Sequence, residues 1–104
     1  MDNIRSLIRL IDRRIPVQVM LRDGGVLKDF WPHDIIARGS LQSGVVVVRG
    51  VISTSADSYQ EHTVPLCDIG GVFPVKGDFA AATDSITVQR KPAPRGWTTI
   101  HGLP

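Results

Sequence analysis

A chain of 104 residues, 42% hydrophobic and 21% charged, has the size and composition of one globular domain. Its one cysteine, Cys67, excludes an internal disulfide and is too few for a cysteine-based zinc centre. The formal net charge of +2 is unevenly spread: residues 1–16 carry +2, residues 17–84 carry five basic and eight acidic residues (−3), and residues 85–104 carry +3. A uniformly basic nucleic-acid-binding domain is excluded, and any polyanion contact should involve the two ends.

The chain starts with MDNIRSLIRLIDRR. Ile4, Leu7, Ile8 and Ile11 follow the i, i+3, i+4, i+7 spacing of a helix with one apolar face. Asp2 or Asn3 suits its cap, and Pro16 limits its end, so the spacing predicts a helix over residues 3–14. Charge interrupts the apolar residues, so the segment lacks the continuous core expected of a secretory signal. No apolar run approaches the ~20 residues that span a bilayer. The expected compartment is the cytoplasm.

The period then changes to two. Val17, Val19 and Leu21 alternate with Gln18, Met20 and Arg22, which predicts a half-buried strand. Asp23-Gly24-Gly25 is a hairpin turn signal, because such turns need positive φ. A second strand is expected over residues 26–31, closed by Pro32, with residues 32–44 as a connection. The dense β-branched run from Val45 to Ile52 predicts a buried third strand. Residues 53–58 read as a polar loop, and residues 59–66 as a fourth strand with His62, Val64 and Leu66 on one face. Residues 67–70 suit a single 3₁₀ turn. A short fifth strand follows over residues 71–75.

Five short strands in about sixty residues after one helix predict a mainly β fold, a five-stranded SH3-like or Sm-like barrel. The expected organisation is helix plus barrel over residues 1–76 and an extended basic tail over residues 77–104. Phe79 to Ala82 suits a short turn, and residues 85–90 are a candidate extra strand. Residues 91–104 read as extended chain.

No catalytic constellation stands out. His33, His62 and His101 lack metal-ligand spacing, and Cys67 beside Asp68 is a poor nucleophile, because a neighbouring carboxylate raises a thiol pKa. Cys67 reads as a small buried hydrophobe. The expectation is a non-catalytic protein with no cofactor and no metal.

The most specific feature is the row Arg5, Arg9, Arg13, whose i, i+4 spacing aligns three cations on one helix stripe. It suits phosphates or an acidic protein surface; a solvated face, or pairing with the acidic body, is the alternative. Trp31 and Tyr59 are candidate stacking platforms, but without interleaved basic residues Trp31 reads more readily as core or interface. Arg95 and Trp97 lie in a Pro/Gly-rich stretch, where Trp97 either docks on its own domain or anchors another chain. With Arg49, the expected partner-binding residues are Arg5, Arg9, Arg13, Arg49, Trp31, Arg95 and Trp97.

The order of elements over residues 5–75 resembles the WYL domain, an Sm-like barrel with a leading helix found in bacterial transcriptional regulators and defence-associated proteins. Phe30-Trp31-Pro32-His33-Asp34 resembles its proline segment. Val46-Val47-Val48 stands where Trp-Tyr-Leu would, and Val64-Pro65-Leu66-Cys67-Asp68-Ile69 falls on its later Phe-x-x-x-Arg-Ile pattern. Asp68 takes the place of that arginine, so the family's ligand-sensing surface is not carried over. Residues 16–30 also resemble the first motif of Sm proteins, and Arg49-Gly50 the Arg-Gly of their second.

The resemblance implies a barrel rather than an activity. The expected function is a protein-interaction or adaptor module of bacterial or phage type that binds another protein or self-associates. The alternatives are a nucleic-acid-binding regulator, contacting RNA or DNA through the basic helix and tail, and a sensor of a small ligand such as a nucleotide. No membrane partner is expected.

Overall fold

The computed structural model describes residues 2–39, 44–55, 58–75 and 93–102. It is mainly β, with one N-terminal helix and an antiparallel sheet of six strands. Helix α1 spans Asp2–Asp12. Its apolar stripe is buried at Leu7, Leu10 and Ile11 and half-buried at Ile4 and Ile8. Sealing Leu7 and Ile11 from water contributes roughly 1.5–3 kcal/mol each. The helix ends two residues before the expected position, and the cap explains why. Arg14 adopts a left-handed φ of 55°, its N–H bonds the Ile11 carbonyl, and the Ile15 N–H reaches back to Leu10. This 6→1 and 5→2 pair is a Schellman stop, placed just ahead of Pro16.

The strands are β1 (Val17–Leu21), β2 (Val26–Arg38), β3 (Val45–Ser55), β4 (Ser58–Pro65), β5 (Ile69–Pro74) and β6 (Thr98–Gly102), with a 3₁₀ turn, η1 (Leu66–Asp68), between β4 and β5. The main path runs β4-β3-β2-β1-β5, and β6 pairs with β2. The hairpin between β1 and β2 turns on Gly24 at φ 96°, and the Asp23 carboxylate accepts from the Gly25 N–H at 2.8 Å.

Three readings of the sequence are corrected. The second strand does not stop at Pro32, and residues 32–38 are not a connection: β2 runs on to Arg38. Pro32 is tolerated because it falls between two partners on one edge of β2, which pairs with β1 as far as Phe30 and with β6 from Asp34 onward. Next to it the ladder with β3 skips His33, since Pro32 pairs with Gly50 and Asp34 with Arg49. This bulge bends the strand. The second correction concerns the tail: residues 98–102 form a strand rather than loose chain. The third concerns the polar loop expected over residues 53–58: β3 runs to Ser55 and β4 starts at Ser58. The short turn expected at residues 79–82 and the candidate strand at 85–90 lie outside the described residues.

β4 and β5 stand at opposite ends of the five-strand path, about 19 Å apart if the sheet were flat. Only η1 joins them, and four Cα steps span at most ~15 Å. The sheet must therefore curl. Among the described residues no ladder joins β4 to β5, so it is curled but not closed. The core fills the concave side with Val17, Val19, Phe30, Ile35, Val48, Val64 and Ile69, and α1 adds Leu7, Leu10 and Ile11.

Candidate functional site

The arginine row is exposed. Arg5 and Arg9 lie on the solvent flank of α1 and Arg13 just beyond it, with its N–H still bonded to the Arg9 carbonyl at 3.1 Å. Among the described residues none of the three guanidinium groups has an ion-pair partner. The nearby helix acid, Asp12, is engaged by His101 of β6 at 2.6 Å. The row is thus a strip of three cations one helical turn apart, backed by an apolar face that is already buried.

Arg49 and Trp31 are placed differently. Arg49 is buried on β3 opposite Asp34 of β2, its register partner. Its Nε donates to Asp34 Oδ1 at 2.8 Å, and its Nη2 donates to Asp34 Oδ2. The hydrogen bonds it donates to Asp34 push the Arg49 pKa up, aided by the charges of Asp34 and Glu61 and opposed by burial. Trp31 is only 6% exposed. His33, the bulge residue, is fully buried. Loss of hydration pushes its pKa down to about 4, against an upward pull from Asp34, so it is neutral at pH 7. Trp31, His33, Asp34 and Arg49 are therefore four buried polar side chains at and beside the bend in β2.

Asp34 and His33 were not among the expected site residues. A signal existed: Asp34 and Arg49 are opposite charges set in two apolar runs, and charges so placed are paired when buried. Arg95 is exposed in the turn before β6, and Trp97 is half-buried beside it. The Trp97 segment thus docks on its own sheet, through β6. The side chain of Tyr59 lies outside the described residues.

Cys67 is exposed, which corrects its reading as a buried hydrophobe. It sits in η1, on the rim of a groove of about 320 Å³ where the two ends of the sheet path meet. Val45, Val46 and Leu66 supply the apolar lining, and Asn3, Arg22 and Cys67 the polar groups. Asn3 Nδ2 donates to the Ile69 carbonyl at 3.2 Å and Arg22 Nε to the same oxygen at 3.4 Å, tying α1 and the β1 end to β5.

Among the described residues no His, Cys, Asp and Glu group is arranged to hold a metal ion, and no helix is long and apolar enough to cross a membrane. Comparison with protein-family models, with curated proteins and with solved structures finds no match to this chain.

Proposed function

We propose that the chain is a non-catalytic binding module, an adaptor built on a small Sm-like or SH3-like barrel, whose partner is an acidic protein surface. The barrel reading is supported by the β4-β3-β2-β1-β5 order and the three-residue link between its outermost strands. The observation that carries the binding reading is the exposed row of Arg5, Arg9 and Arg13, with no carboxylate paired to it among the described residues. Three aligned like charges cost a helix a few tenths of a kcal/mol per pair, and an acidic partner reverses that sign. The module belongs in the cytoplasm, where a lone exposed thiol stays reduced.

The test is affinity purification of the full chain beside an Arg5→Glu/Arg9→Glu/Arg13→Glu variant of equal melting temperature. A protein that co-purifies with the first and not with the second supports the reading. Identical sets sink it. The same arginines suit phosphates, because the guanidinium fork matches phosphate oxygens. If capture disappears after nuclease treatment and falls steeply with salt, the partner is RNA or DNA instead.

A further inference from the structure

The groove beside η1 has a chemistry of its own. Its volume of about 320 Å³ lies at the small end of the roughly 300–1,000 Å³ found for ligand pockets. Its lining is mixed: Val45, Val46 and Leu66 are apolar, and Asn3, Arg22 and Cys67 carry polar groups. Val45 is 53% exposed, an apolar surface without cover among the described residues. Among the described residues of the lining, Arg22 is the one cation and none is acidic. Asp23 and Asp68 line, together with Leu21 and Arg22, a separate cavity of about 130 Å³. Among the described residues neither acid is within ion-pairing distance of the Arg22 guanidinium. Asn3 uses one amide hydrogen on Ile69 and, among the described residues, keeps a second donor. It also sits in the first turn of α1, where the helix dipole favours negative charge.

We infer that this groove binds a short organic monoanion. Its carboxylate meets the Arg22 guanidinium beside Asn3, and its hydrocarbon part covers Val45, Val46 and Leu66. The guanidinium selects charge and a planar two-oxygen head; the apolar wall selects a chain over a bare inorganic ion. The site shares no residue with the arginine row and stands independently of the binding reading above.

Cys67 is the single thiol of the chain and reports on the groove directly. The full chain is alkylated with neutral iodoacetamide, and modification is followed by mass spectrometry with hexanoate, 1-hexanol or hexylammonium present. Hexanoate at twice its Kd is expected to slow alkylation about threefold, with little effect from the other two. Arg22→Met should abolish the protection and Arg22→Lys should keep part of it. Amide NMR guards against a disturbed fold: hexanoate should shift Val46 and the Asn3 side chain in the wild type. The charge-reversed arginine row should leave protection unchanged. Absent protection, equal protection by hexanol, protection surviving in Arg22→Met, or shifts centred on the α1 arginines would each overturn the assignment.

Discussion

Asp34 and Arg49 face each other across β2 and β3 and close a two-point ion pair whose side chains are only 8% and 9% exposed. Such a pair contributes little net stability, because desolvation offsets attraction, but removing one member strands a buried charge. Asp34→Asn should therefore cost about 3–5 kcal/mol, whereas Asp34→Leu with Arg49→Met should be close to neutral. Urea unfolding of the three proteins checks this. A double variant as unstable as the single one would mean that the pair has a role beyond mutual neutralisation.

Gly50 lies under the bend of β2. A Cβ at this position would stand 2.1 Å from the Trp31 carbonyl oxygen and 3.0 Å from the Phe30 ring. Backbone cannot yield as a flexible side chain would, so Gly50→Ala is expected to cost roughly 3 kcal/mol or more. Gly24→Ala meets nothing within 4 Å and pays only for its φ of 96°, on the order of 1 kcal/mol. Thermal melting of both variants should rank them in that order.

The pKa of His33 drops from 6.5 in the unfolded chain to about 4 in the folded one, because burial disfavours the imidazolium. Between these values the unfolded chain holds more protons, so stability falls as pH is lowered through this window. The loss is complete below pH 4 and amounts to at most about 3 kcal/mol. His33→Gln removes this contribution. The denaturant midpoint of the wild type should fall relative to that of the variant as pH drops from 7 to 4; parallel curves would show that His33 does not titrate this way.

His101 and Asp12 join β6 to α1 at 2.6 Å, with side chains 27% and 48% exposed. An exposed pair of this kind contributes about 0–1 kcal/mol. Asp12→Asn should leave global stability almost unchanged while speeding hydrogen exchange at residues 98–102, since β6 has no fully buried side chain. Amide exchange measured by NMR separates the local effect from a global one.

The helix, the hairpin at Asp23-Gly24, the β-branched third strand and the 3₁₀ turn were all legible, because each depends on local spacing or turn chemistry. The length of β2 was not. Pro32 signals a stop in any local reading, and only the gap between β1 and β6 on the same edge makes it harmless. β6 was hidden for a related reason: Thr98-Thr99-Ile100-His101-Gly102 gains its strand conformation from residues 34–37, more than sixty positions away. Of the expected binding residues, Arg5, Arg9 and Arg13 are exposed, as their spacing on the helix suggests. Trp31 is buried, in keeping with its core reading; Arg49 is buried too, and a charge inside an apolar strand can be placed only when its neighbour across the sheet is known. The groove joins residues from four separate stretches of chain, and no short motif could announce it.

One edge of β2 is shared by the earliest strand and the last. During synthesis, β1 to β5 can emerge and collapse while the amides of residues 34–37 still lack their neighbour. They gain it only when residues 98–102 leave the ribosome. The nascent domain thus passes through a stage with a short sticky edge beside its buried ion pair, when pairing with the wrong chain is cheapest.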